Sequence, residues 1–290
     1  MAGLPKDYSA QLTYQGRIRE YLVHLPANYR SFQTYPLVLV FHGGSGTPEQ
    51  MRSLTRFNDT ADTDQFIVVY PKGIEKSWAD GRGTTPAELA GVDDVGFVST
   101  LINQLVKNLT IDSRKVYATG ISNGGLFSQR LGCELSNKIT AIAPVAATFP
   151  AKLAPTCQPQ RAVPVLQIMG TQDPLIPFEG GTVPPGRFGS GGDFLSNDDA
   201  IAVWLKINAC RPFPATTLLP NIADDGTIVE RRAYQNCTGT AQVHNYIIRG
   251  GGHTWPGGLQ YLPERIIGKT SRDIQASPKI WQFFNQFTRL

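Results

Sequence analysis

The chain has 290 residues, 41% of them hydrophobic and 17% charged, with a formal net charge of +4. That size and apolar content can bury a full core, and one catalytic domain spanning residues 1–290 is expected. No Lys/Arg cluster exceeds a pair and no apolar run approaches the ~20 residues of a membrane span, which argues against a nucleic-acid partner and against a membrane anchor.

Arg17 to Leu25 (RIREYLVHL) alternates as a half-exposed strand does, and Tyr35 to Phe41 (YPLVLVF) is a continuous apolar run of the buried kind. A helix is expected from Pro48 to about Asp64, then a buried strand at Phe66 to Tyr70. Asp93 and Asp94 open a long amphipathic helix with Val95, Val98, Leu101, Ile102, Leu105, Val106 and Leu109 on one face, and their charges suit its positive end. Lys115 to Gly120 (KVYATG) is β-prone, and Gly124 to Leu135 spaces its leucines and Phe127 as a helix does. Strands at Ile139 to Ala146 and Val163 to Met169, a helix at Asp198 to Ala209, a strand near Gln242 to Ile248 and a helix at Pro278 to Phe287 complete the chain. Strands separated by helices imply an α/β class with a mainly parallel central sheet covered by helices on both faces. Phe178 to Asn197 carries six glycines and two prolines and reads as a long irregular loop. Such loops tend to be functional, and this one is expected to wall a ligand cleft, with Arg187, Phe188 and Phe194 as contacts.

Between the strand KVYAT and the helix LFSQRL stands GISNGG, Gly120 to Gly125. It fits G-x-S-x-G, in which a sharp strand-to-helix turn lifts a serine oxygen clear of the sheet. The pentapeptide alone is equally a plain turn; the strand before it and the helix after it favour Ser122 as a nucleophile. A serine nucleophile needs a base. Of the four histidines, His24 and His244 fall inside strands and read as structural, whereas His253 sits in RGGGHTWPGG after the last strand. Loops at the carboxyl ends of strands gather on one edge of such a sheet, so His253 reaches the edge of Ser122. Asp173, in MGTQDPLIP, leaves the sheet there too and is the expected carboxylate partner, with Asp193, Asp198 and Asp199 as fallbacks. The order Ser122, Asp173, His253 is that of α/β-hydrolases. In FHGGSG, the N–H of Gly43, Gly44 or Ser45 would complete with that of Asn123 a two-donor oxyanion hole, and His42 would prop this loop.

Four cysteines, Cys133, Cys157, Cys210 and Cys237, allow three full pairings and show no C-x-x-C spacing for zinc or redox chemistry. Sequential pairing would close two modest loops; four buried free thiols are the alternative. N-x-[ST] sequons at Asn58, Asn108 and Asn236 are compatible with secretion. MAGLPKDYS lacks a basic and an apolar signal region, as a cytosolic form or a mature chain with its signal removed would. A secreted protein is expected.

Taken together and in order, FHGGSG, YPKG with SWADGRG, VDDVGF, IDSRKVYATGISNGG, APVAA, MGTQDPLIP and GGGHTWPG resemble the secreted esterases grouped as polyhydroxybutyrate depolymerase-like and as feruloyl or acetyl-xylan esterases. The resemblance runs from about residue 10 to the end of the chain; IDSRKVYATGISNGG and GGGHTWPG are its specific motifs. It implies an α/β-hydrolase fold, a serine triad at Ser122, Asp173 and His253, no metal and no cofactor, and disulfides, which favours paired cysteines. Trp78 and Trp255 are expected at the catalytic edge, where a flat aromatic wall suits a ferulate ring or a sugar. Feruloyl or acetyl esters of plant polysaccharide are the expected substrates and a monomer the expected state. A polyester depolymerase is the main alternative, and a serine peptidase on the same scaffold a weaker one.

Overall fold

A computed structural model describes residues 5–186 and 189–289. In chain order its strands are β1 (Asp7–Tyr14), β2 (Arg17–His24), β3 (Tyr35–Phe41), β4 (Ile67–Pro71), β5 (Ile111–Ile121), β6 (Ala141–Val145), β7 (Phe149–Pro150), β8 (Val165–Gly170), β9 (Gly181–Val183), β10 (Gly192–Leu195), β11 (Ala215–Leu218), β12 (Ile228–Tyr234) and β13 (Val243–Arg249). The helices are α1 (Pro48–Thr55), α2 (Phe57–Asp64), α3 (Pro86–Leu89), α4 (Asp94–Asn108), α5 (Asn123–Glu134), α6 (Asn197–Ile207), α7 (Glu264–Ile267) and α8 (Ala276–Phe284).

A 10-stranded sheet runs in the order β1-β2-β4-β3-β5-β6-β8-β13-β12-β11. From β4 to β13 the pairing is parallel, and antiparallel hairpins close both flanks. Along β3 the pleat divides the core, since successive side chains point to opposite faces. Leu37, Leu39 and Phe41 join the apolar cluster under α4, α5 and α6, and Val38 and Val40 join the one under α1, α2 and α8. Helices therefore cover both faces, as the alternation of elements implied.

The differences from expectation have local causes. The helix over 48–64 breaks at Arg56, whose φ of 50° is left-handed and ends α1 with its N–H on the Arg52 carbonyl. The glycine-rich segment is not wholly irregular: β9 and β10 form an antiparallel pair, and β7 joins them in a second, three-stranded sheet. Two disulfides, Cys133–Cys157 and Cys210–Cys237, make the sequential pairing. The first ties the far end of α5 to the segment before β8; each is worth roughly 2–4 kcal/mol through the unfolded chain.

Candidate active site

The strand order reverses between β3 and β5, the switch point at which open α/β sheets bind ligands outside their carboxyl ends. β3 ends there in His42-Gly43-Gly44-Ser45, and β5 ends in Ser122. The serine lies between β5 and α5 with φ 57° and ψ −125°, and its N–H donates to the Val145 carbonyl at 2.9 Å. A non-glycine residue held there costs about 1–3 kcal/mol, which the surrounding packing must overcome. The flanking glycines make the turn fit: a Cβ at Gly120 would stand 2.6 Å from the Phe41 carbonyl oxygen, and one at Gly124 would collide with the Phe41 and His42 carbonyls.

Beyond the ends of β8 and β13, Asp173 and His253 meet. His253 Nδ1 donates to Asp173 Oδ2 at 2.7 Å, and Asp173 Oδ1 accepts the N–H groups of Leu175 at 2.8 Å and Ile176 at 2.9 Å. The carboxylate is thereby fixed on both oxygens, and the imidazole presents Nε2 outward. Tyr261 donates its hydroxyl to the His253 carbonyl at 2.9 Å. Asp193 instead accepts from Thr182, Asp198 from the Asn197 side-chain amide and Asp199 from Ser196, so none of the three fallback carboxylates serves the histidine. His253 and Ser122 line one cleft, with no direct hydrogen bond between them.

His42 is buried with Nδ1 on the Gly43 carbonyl at 2.8 Å and Nε2 accepting the Gly73 N–H at 3.0 Å. An acceptor Nε2 requires a neutral ring, and burial holds the pKa down to about 4. His42 thus braces the loop. Among the described residues the N–H groups of Gly43, Gly44 and Asn123 have no backbone partner, as oxyanion donors require. Ser45 must be removed from that set, because its N–H donates to the Lys76 carbonyl at 2.8 Å.

The aromatic wall is also corrected. Trp78 is fully buried, stacked on Phe127 with ring centroids 5.3 Å apart, and its Nε1 donates to the His42 carbonyl at 3.0 Å. Trp255 is buried edge-to-face against Phe57, with Nε1 on Ser277. Both are core, so neither offers a ring to a ligand. Phe188, and Arg187 beside it, lie outside the described residues.

Asp80 and Arg82 escaped the sequence reading, which used SWADGRG only as part of a resemblance. Asn123 donates its side-chain amide to Asp80 Oδ2 at 2.7 Å, and buried Asp80 pairs with Arg82 at 2.8 Å. Arg82 Nη1 then donates to the Gly191 carbonyl at 3.0 Å. A chain of contacts so runs from the residue after Ser122 to the glycine-rich segment. The available signal was two charges interleaved with Gly81 and Gly83, both of which have positive φ.

Two clefts meet at Ser122. One, about 600 Å³, is lined by the 42–47 loop, Met51, Leu54, Leu259, Tyr261 and His253. The other, about 400 Å³, is lined by Lys76, Arg82, Leu175 and, from the glycine-rich segment, Val183, Ser190 and Phe194. Among the described residues no three His, Cys, Asp or Glu side chains are grouped to hold a metal ion, and no helix is long and apolar enough to cross a membrane.

Comparison with known proteins agrees with this layout. A family model described as Esterase PHB depolymerase matches residues 19–146. NocK of Nocardia uniformis subsp. tsuyamanensis, named for esterase activity, is 28% identical over 92% of this chain and 79% of its own. Feruloyl esterase B of Piromyces equi is 28% identical over 81% of this chain and 42% of its own. The bifunctional acetylxylan esterase/xylanase XynS20E of Neocallimastix patriciarum is 34% identical over 60% of this chain, which spans only 24% of that protein. Among solved structures, an acetyl xylan esterase from Aspergillus awamori superposes with a TM-score of 0.61 at 13% identity, covering 96% of this chain and 99% of its own. The chain shares the α/β-hydrolase fold with that structure.

Proposed function

We propose, from the premise that this chain is a carboxylic-ester hydrolase related to the polyhydroxybutyrate depolymerase-like, feruloyl and acetylxylan esterases, that it cleaves feruloyl or acetyl esters of plant polysaccharide through an acyl-enzyme on Ser122. The supporting observation is the Asp173–His253 pair at 2.7 Å opening on the same cleft as the strained Ser122 turn. In this reading His253 Nε2 takes the Ser122 proton as Oγ attacks the ester carbonyl, and Asp173 stabilises the imidazolium that forms. The N–H of Asn123 with that of Gly43 or Gly44 receives the developing oxyanion. His253 then returns the proton to the departing alcohol, and a water activated by the same nitrogen releases the acid. The apolar lining of the larger cleft, including Met51, Leu54 and Tyr261, takes the place of the tryptophans as the seat for an aromatic or short acyl group.

The disulfides support an extracellular site of action, and residues 1–290 are taken as one catalytic unit, acting as a monomer. The family match favours one second reading, a polyester depolymerase. A panel of methyl ferulate, acetylated xylan, p-nitrophenyl esters of rising chain length and polyhydroxybutyrate film decides between them. Highest kcat/KM on the ferulate or xylan ester supports the first reading; release of acid from film with weak action on both would replace it. Faster cleavage of a matched amide than of its ester would reject ester hydrolysis itself.

A further inference from the structure

A third cavity, about 350 Å³, opens at the other end of β13. His244 is the second residue of that strand and His253 lies beyond its last, so roughly 20 Å of strand separates the two sites. The floor is one face of the sheet. Arg231 on β12 stands opposite Tyr246 on β13, and His244 stands opposite Ala233, whose small side chain leaves the space open. The roof is α8 and the turn after it, where Lys279, Gln282, Phe283 and Gln286 recur at helical spacing and face the sheet.

The chemistry of this lining is one-sided. Arg231 and Lys279 bring two cations to it and His244 an imidazole whose Nε2–H can donate, and no Asp or Glu lines it. Neither Arg231 nor Lys279 makes an ion pair among the described residues; Glu230 is taken by Arg232 and Arg249, and Asp64 lines a separate groove beyond Lys279. Arg231 Nε and His244 Nε2 are buried without a hydrogen-bond partner, although His244 is only 5% exposed. Buried polar groups are normally satisfied, and an unpartnered cation beside them calls for an anion that also accepts hydrogen bonds. Gln235, Gln242, Gln282 and Gln286 surround the cavity with amides that can both donate and accept, as a hydroxylated ligand requires. The Phe283 ring, 4.9 Å from that of His244, supplies an apolar face.

We propose that this cavity binds a sugar acid: a carboxylate on Arg231, Lys279 and His244, hydroxyls on the glutamines, and the ring against Phe283. The site is separate from Ser122 and stands whether or not the esterase substrate is a polysaccharide. Isothermal titration of the full chain with glucuronate, a glucuronate-substituted oligosaccharide, glucose and inorganic phosphate tests it. The two glucuronate arms tell a free sugar acid from a polymer side group. Expected is saturable 1:1 binding of at least one of them with Kd of about 10⁻⁴–10⁻³ M, glucose weaker by at least about tenfold, and a loss of about tenfold in Arg231→Gln and in Lys279→Gln. Hydrolysis of p-nitrophenyl acetate is expected to be unchanged in both variants. Lys279→Gln sits on a partly exposed helix position and carries the test if Arg231→Gln fails to fold. No binding of either glucuronate ligand up to about 10 mM, phosphate binding as tightly as glucuronate, or unweakened binding in Lys279→Gln would overturn the proposal.

Discussion

The two walls beside Ser122 are built to different standards. The 42–46 loop is held by His42 on Gly73, by Trp78 on the His42 carbonyl and by Ser45 on Lys76, all among buried or bound groups. Its supports include Ser45, Glu75 and Lys76 in the left-handed region at φ of 62°, 51° and 51°, a conformation retained only where neighbours over-determine it. The opposite wall, β9 and β10, is anchored along β10 by its pairing with β7 and by buried Phe194, and is tied to the 80–84 loop by Arg82 and Thr84 on one carbonyl, that of Gly191. Oxyanion donors must stand still, whereas a wall that accommodates different substrates gains from being tied to the catalytic side by only a few side-chain bonds.

Ser122→Ala removes the centre both walls serve and is expected to lower kcat/KM by about 10⁴-fold or more with little change in melting temperature; activity within tenfold of wild type would remove the nucleophile from the mechanism. On the rigid side, His42→Phe keeps a ring beside Trp78 but deletes both loop bonds. A fall of about 10²–10³ in kcat, with KM for a small ester nearly unchanged, is the expected reading in steady-state kinetics.

The same histidine sets a pH limit. His42 and His244 are each depressed by burial from 6.5 to about 4, so both are neutral in folded and unfolded chains above pH 6.5. As pH falls from 6.5 to about 4 the unfolded chain protonates first, and stability drops by about 3 kcal/mol per histidine before levelling. Urea melts at pH 7 and pH 4 measure this, and His42→Phe is expected to lose roughly half of that pH slope. The smallest effect belongs to the tethered wall. Arg82→Ala is expected to raise KM for bulky esters about tenfold while p-nitrophenyl acetate turnover changes less than about twofold; equal losses on both substrates would mean that Arg82 supports the rigid arm through Asp80 and Asn123 instead.

This contrast also separates what could be read from residue order. YPLVLVF reads as a buried strand because both of its faces are covered, and β3 has those bounds. The Ser122, Asp173 and His253 loops share an edge because parallel strands force them to, and no side-chain detail is needed to see it. β1, β11 and β12 passed unread because DYSAQLTY, ATTL and IVERRAY mix polar and apolar residues at flank positions, where pairing rather than burial makes the strand. The tryptophans misled for a related reason: loop position says where a backbone runs, while the rings of Trp78 and Trp255 turn inward to Phe127 and Phe57. The Asp80–Arg82 link joins segments more than a hundred residues apart through Gly191, a contact that no local pattern announces.

Because two clefts share one serine, the intermediate has a front and a back door. Once the alcohol half has left, an acyl group seated in the larger cleft leaves the smaller one vacant for whichever nucleophile arrives. Water is the ordinary visitor at 55 M, a concentration hard to outcompete, yet the polar lining of Lys76 and Arg82 also suits hydroxyl compounds. Added glycerol or a short oligosaccharide is therefore expected to intercept part of the acyl flux as new ester, so that the molecule acts as a transferase in proportion to how full that second chamber is kept.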